Sequence, residues 1–391
     1  VTFPYILSFQ GVASQTFTLA DNWTVGSLVF AQGASSVIAG SKTIFINENL
    51  THSSAQSMTS TGTTLVMQGT GSISNAAGGS FSCDITINTS GTITFGTTIR
   101  YNTGTFKYTA GTVNTTGNTF TISSVATTLD VNGNTDGTGS TISDNGINFF
   151  NLTLSIGTTL TTPICVIGTF SNSNNNCIGS IIYVQGSLTT TSNTGGGVIV
   201  LNGSGVINCL NMLRMQLTID TIGKYTFPIN FNNTKVFSFN STTLTYIKGN
   251  LDTRNVTFLC QAVSTLIGVH KLRFRRVVLS NTITMDNFFQ GSASQICSVV
   301  SNTAGQVYGI VFTNGFQKIS NYTSVQDMTL TNTNASRGSL LLTYSKANRG
   351  RNVGNITYVN NKPNGIIDYR DTVKSLESMA GVQLQGDTAY N

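Results

Sequence analysis

The chain is 391 residues long, enough for two ordinary domains or one extended repeat domain with a sizeable buried core. Charged residues make up 9% of it against the usual quarter and hydrophobic residues 39%, which excludes a charge-rich disordered chain. The net charge of +6 comes from 20 basic residues spread thinly, too weak a field to gather nucleic acid, and no run reaches the roughly 18 apolar residues of a membrane helix.

What replaces charge is Ser, Thr, Asn and Gly, residues that suit closely spaced turns and the outward faces of strands. A helical protein needs far more Ala, Leu, Glu and Lys. The expectation is therefore an all-β chain. Residues 1–21, beginning VTFPYILSFQG, read as a lead-in or cap. They lack the basic start and long apolar stretch of a secretion signal, although a chain that begins at Val1 rather than Met gives that little weight.

A first block, residues 22–145, consists of apolar runs of a few residues broken by Gly, Asn, Ser or Thr, as in TIFINENLT from Thr43, TLVMQGTGSISN from Thr64 and DITINTSGTITF from Asp84. Period-2 alternation within these runs predicts strand, turn, strand. The block closes on LDVNGNTDGTGSTISDNG, where Asp130, Asn132, Asn134 and Asp136 alternate before Gly137. Alternating oxygen ligands are what a calcium loop needs, but the position that should be Gly is Thr135 and no bidentate Glu follows. A wide Asn-Gly turn is the competing reading.

The second block, residues 146–270, repeats the first. VIVLNGSGVINC from Val198 echoes the run at Thr64, and QLTIDTIGKYTF from Gln216 echoes the run at Asp84. TLTYIKGNLDTRNVTFLC from Thr243 lies against TFKYTAGTVNTTGNTFTI from Thr105, so that Tyr108 meets Tyr246, Gly111 meets Gly249 and Phe120 meets Phe258. A partial third block, residues 271–335, echoes the second: FRRVVLS from Phe274 against FFNLTLS from Phe149, and Cys297 against Cys165. Four prolines in the whole chain leave nearly every backbone donor free for ladders. The fold expected is an elongated parallel β-helix in which each coil of about 20 residues stacks on the last. The alternative is a series of tandem β-sandwich domains, which would show longer strands and more proline.

Residues 336–391 differ, carrying 11 of the chain's 34 charged residues. Tyr369, Val373, Leu376 and Ala380 fall on one helical face with Asp368 as N-cap, which predicts a short helix in a C-terminal capping or attachment segment. A cap suits a stacked fold, because an open terminal coil presents unpaired edges.

Few residues point to chemistry. The carboxylates are twelve Asp and two Glu, with no recurring pair of the kind glycoside hydrolysis uses, and His52 and His270 flank no nucleophile motif, so no enzyme activity and no cofactor are expected. The six cysteines show no CxxC spacing, and several stand where a strand takes a small hydrophobe; buried free thiols are expected, with disulfides the competing reading, and free thiols would favour assembly in a reducing cytoplasm. HKLRFRR from His270 places Lys271, Arg273 and Arg275 at alternate positions, a stripe able to grip phosphate or acidic sugar on a cell surface, or an acidic neighbouring subunit; an ordinary solvated face is the plainer reading.

The succession FFNLTLSIGTTLTT, GSLTTTSNTGGGVIVLNGSGVIN and GTFKYTAGTVNTTGNTFTI resembles the β-helical repeats of bacteriophage tail fibres and other virion appendages, and of large bacterial surface adhesins. The likeness covers about residues 22–335 and is one of style, so no family site residue carries over. It implies a structural virion protein, a fibre or spike-like appendage assembled in the host cytoplasm as a homotrimer with other virion proteins and presenting a face for host surface glycan, without membrane insertion. A secreted bacterial adhesin or filament subunit on the cell surface is one alternative. A polysaccharide depolymerase on the same scaffold is another.

Overall fold

The computed structural model describes residues 1–10, 16–31, 37–55, 57–122, 127–131, 142–143, 147–154, 158–172, 177–178, 181–190, 194–209, 212–227, 236–239, 243–260, 264–268, 274–286, 288–289, 297–303, 306–312, 318–321, 323–332, 340–343, 356–361 and 367–368. Among these residues every regular element is a β-strand. Contacts group the chain into two units, Val1–Gly205 and Val206–Asn391.

In the first unit the strands pair in parallel with partners one coil away. One column runs Thr2, Thr24, Phe45, Val66, Thr86, Lys107, Asp130, each member in register with the next. The neighbouring column, Ile44, Leu65, Ile85, Phe106, Leu129, Leu160, points the other way and is buried throughout. This is the period-2 alternation of the sequence made physical: on each short strand alternate side chains enter the stack and the rest face out. No coil could bury its apolar side alone. Stacking closes each against the next, each buried Ile, Leu or Phe contributing about 1.5–3 kcal/mol.

The corners explain the abundance of Asn, Gln and Ser. The Asn47 N–H donates to the Val25 carbonyl at 3.0 Å and the Gln68 N–H to the Ile46 carbonyl at 2.9 Å, so the backbone ladder continues through the turn. Side chains add a second ladder. The Gln68 amide donates to Asn47 Oδ1 at 2.9 Å, and Asn49 Oδ1 accepts both the N–H of Ser72 (3.0 Å) and its hydroxyl (2.9 Å). Short uncharged side chains can satisfy a neighbouring coil at about 4.8 Å spacing without the desolvation cost that charges would carry there.

Coil length varies without disturbing the stack. The connection from Phe120 to its partner Leu152 is the long one, and it includes residues outside the described set; the connections from Leu152 to Phe170 and from Phe170 to Leu188 are short. Phe120 lies among Phe95, Tyr101, Phe106 and Phe149, with ring centroids 4.9–6.0 Å apart.

The second unit is built in the same way. Leu217, Leu244, Leu266, Met285 and Phe312 form one inward column, and Phe258, Val277, Val299 and Val325 another. Its kinship with the first unit extends to irregularities. Tyr108 pairs with Ile87 and Ala110 with Asn88, leaving Thr109 as an extra residue; Tyr246 pairs with Ile219 and Lys248 with Asp220, leaving Ile247 in the same place. Just beyond, the Thr89 hydroxyl accepts the Gly91 N–H at 2.9 Å, and the Thr221 hydroxyl accepts the Gly223 N–H at 2.8 Å. A bulge and a hydroxyl-capped turn at matching positions are hard to obtain by chance from composition.

The chain is thus a parallel β-solenoid. Sandwiches are excluded by the pairing, since among the described residues only Val113–Asn114 with Ile142–Ser143, and Asn360–Asn361 with Ile367–Asp368, run antiparallel. Asp368, expected to cap a helix, ends that last two-residue strand. The predicted helical residues Tyr369 to Ala380 lie outside the described residues.

Candidate functional site

Most of the residues singled out for chemistry lie outside the described residues. Asp130 stands in register with Lys107, its carboxylate 3.8 Å from the ammonium, an outward and partly exposed pair that contributes little stability. Asn132, Asn134 and Asp136 lie outside the described residues, as do Lys271 and Arg273. Arg275 belongs to the strand Phe274–Leu279, where the exposed cation described is Arg276, in register with Ser298.

Three further carboxylates among the described residues have structural partners. Asp84 Oδ1 accepts the Thr105 N–H at 2.8 Å, Glu48 Oε2 accepts the Ser27 hydroxyl at 2.9 Å, and Asp220 is 3.4 Å from the Lys248 ammonium. Among the described residues no group of three or more His, Cys, Asp or Glu is placed to hold a metal ion.

Cys83, Cys165, Cys209, Cys260 and Cys297 are buried and form no disulfide. Burial pushes the Cys83, Cys260 and Cys297 thiols well above the ordinary thiol range, with Asp84 adding to the effect at Cys83. A thiol that cannot ionise is a poor nucleophile. The side chain of the sixth cysteine, Cys177, lies outside the described set, so in a Cys177→Ser chain these five sulfhydryls are expected to stay silent toward an aqueous disulfide reagent while native and to react together once the chain is unfolded in denaturant; rapid native reaction would contradict their burial.

What the sequence did not single out is a flat polar face in the first unit. Four successive strands, Thr119–Ile122, Asn151–Leu154, Thr169–Asn172 and Ser187–Thr190, stack in register. Each turns two residues inward and two outward. The inner pairs are Phe120 and Ile122, Leu152 and Leu154, Phe170 and Asn172, Leu188 and Thr190. The outer pairs are Thr119 and Thr121, Asn151 and Thr153, Thr169 and Ser171, Ser187 and Thr189, all half-buried. Strand geometry spaces these groups about 4.8 Å apart between coils and about 6.6 Å along each strand. Asn151 Oδ1 accepts the Thr169 N–H at 2.7 Å, fixing two coils at one edge.

The face carries seven hydroxyls and one amide and no charge. One residue heads it: Arg100 is in register with Thr121 on the preceding strand and is exposed. A planar guanidinium next to rows of hydroxyls offers bidentate donation to a carboxylate, sulfate or phosphate, with donors and acceptors in line behind it. The signal for this face was present in the sequence as TFTI, NLTL, TFSN and SLTT, but only the register shows that they lie side by side. Compared with protein families, with curated proteins and with solved structures, the chain matches none.

Proposed function

We propose that this chain is a structural, non-catalytic β-solenoid of a virion appendage, and that its hydroxyl face with Arg100 binds glycan on a host surface. The observation that carries the reading is the in-register array Thr119/Thr121, Asn151/Thr153, Thr169/Ser171 and Ser187/Thr189 beside Arg100. Extended polysaccharides present repeated hydroxyls, each both donor and acceptor, and a regular uncharged array meets them without desolvating a row of ions. The habitat rests on the resemblance of the repeats to virion-appendage β-helices. Binding without cleavage is in keeping with Asp84, Glu48 and Asp220, which have backbone, hydroxyl and lysine partners.

The experiment is binding of the full chain to an array of bacterial capsule and lipopolysaccharide glycans, with product sizes checked afterwards. Acidic glycans are expected to bind and to keep their length. Arg100→Gln is expected to weaken that binding roughly tenfold or more, as loss of a charge-assisted hydrogen bond does, and Thr153→Val with Ser171→Ala to weaken neutral and acidic glycans alike. Binding that ignores all three substitutions, or no binding to any glycan, overturns the assignment of this face. Shortened glycans would instead reveal a depolymerase.

A further inference from the structure

The interior of the first unit holds one ionisable ring that its fold leaves unserved. His52 ends the strand Leu50–His52 and is fully buried, in register with Phe30 on one side and Asn75 on the other. Its imidazole continues an aromatic column. Phe9 stacks on Phe30 at 5.4 Å, Phe30 lies 6.3 Å from His52, and His52 lies 5.8 Å from Phe81. Neither ring nitrogen has a hydrogen-bond partner.

The reason lies in the next coil. Asn75 is the in-register polar residue, but its amide is turned onward: Nδ2 donates to the Gly79 carbonyl at 2.7 Å and to the Arg100 carbonyl at 3.5 Å, while Oδ1 accepts the Arg100 N–H at 3.4 Å. Gly79 completes the enclosure, since a Cβ there would sit 2.8 Å from Nδ1. The ring therefore meets Phe30 from the strand before, Phe81 and Asn75 from the strands after, and the backbone of Gly79 from the turn. None of these groups titrates. Arg100 reaches this place only through its backbone.

We propose that His52 is a proton-operated release for the first unit: acidification charges an imidazole enclosed by aromatic rings, and the coils around Leu50–His52 part to hydrate it. An imidazolium needs two acceptors, and Asn75 Oδ1, held on the Arg100 N–H and out of hydrogen-bond reach of the ring, can serve only if the side chain swings back, which loosens the joint between successive coils. Burial alone, with no neighbouring charge contributing, lowers the His52 pKa from 6.5 to about 4. The folded value lies below the unfolded one, so folding favours the neutral ring; that stability is whole above the unfolded pKa and is lost as pH falls through it toward the folded value. The folded-to-unfolded ratio is expected to drop on the order of a hundredfold from this group between pH 7 and pH 4.

Two readouts test the release in the full chain. Trp23, the single tryptophan, begins the strand that carries Phe30, so its emission reports on this end of the stack. With only two histidines present, His270→Gln leaves the His52 imidazole alone in a proton NMR titration. The expected result is a reversible change in Trp23 emission between pH 6 and pH 4 that His52→Phe, which keeps the aromatic column, moves to lower pH, and a His52 ring that stays neutral well below 6.5. The proposal is overturned if His52 titrates at its ordinary value without a change at Trp23, or if wild type and His52→Phe share one acid transition. Should His52→Phe fail to fold, the His52→Gln chain and the NMR titration decide the same question.

Discussion

Replacing Phe120 by alanine is expected to destabilise the first unit by about 3–5 kcal/mol, the cost of deleting a fully enclosed aromatic ring and leaving its cavity. The ring is 1% exposed, and it touches aromatic rings on its own, preceding and following coils, with centroids 4.9 Å from Phe106 and 5.1 Å from Phe149. It also stands where the coil lengthens on the way to its in-register partner Leu152, so short backbone connections contribute least to holding this joint. Urea unfolding followed by circular dichroism should show the loss, and Phe120→Leu, which conserves most of the volume, should cost less than about 1.5 kcal/mol. A loss below about 1 kcal/mol for alanine would mean that the aromatic cluster is not the joint described.

Gly71→Ala is the second large effect. A Cβ at this position would lie 1.8 Å from the carbonyl oxygen of Glu48, an atom of the preceding coil's backbone that cannot rotate away. The coils on either side are fixed by the Glu48 N–H to Gly26 carbonyl bond at 2.8 Å and by the pairing of Leu50 with Ile73, so the methyl must force two ladders apart. A loss of about 1–3 kcal/mol or more is expected, with poor soluble yield its first sign. Gly96 is the control: its nearest neighbour would be Ser74 Cβ at 3.5 Å, an ordinary contact, and Gly96→Ala should be neutral or gain up to about 1 kcal/mol through the unfolded chain. Equal losses at the two glycines would show that the substitution does not act through coil spacing.

The parallel stack was legible in the sequence because its physics is local. A strand of four residues with two apolar positions, such as TIFI or TFTI, states its own inner and outer faces, and repetition at about 20 residues states how the strands meet. Pairing of Tyr108 with Tyr246 by sequence holds down to the bulge that follows each. The hydroxyl face was not legible. Thr121, Thr153, Ser171 and Thr189 are ordinary in a Thr-rich chain, and register across one long coil followed by short ones is a tertiary property. His52 was legible only as an isolated histidine. That it lies inside, opposite an asparagine already committed to Arg100, follows from which way one side chain turns. Of the acidic loop, Asp130 has an outward partner in Lys107, which alternation along one strand does not reveal.

The claim on which the rest depends is that residues one coil apart are neighbours although far apart in sequence, and a double-cysteine crosslink tests it directly. Thr153→Cys with Ser171→Cys places two outward thiols in register on adjacent strands, with Cys177 replaced by serine and the other five native cysteines left in place as buried bystanders. Under mild oxidation or with a short bifunctional reagent this pair should join within the chain rapidly and at low protein concentration, while Thr153→Cys with Thr189→Cys, two coils apart, should join far more slowly. Equal rates for the two pairs, or no bond between 153 and 171, would contradict the stacked solenoid.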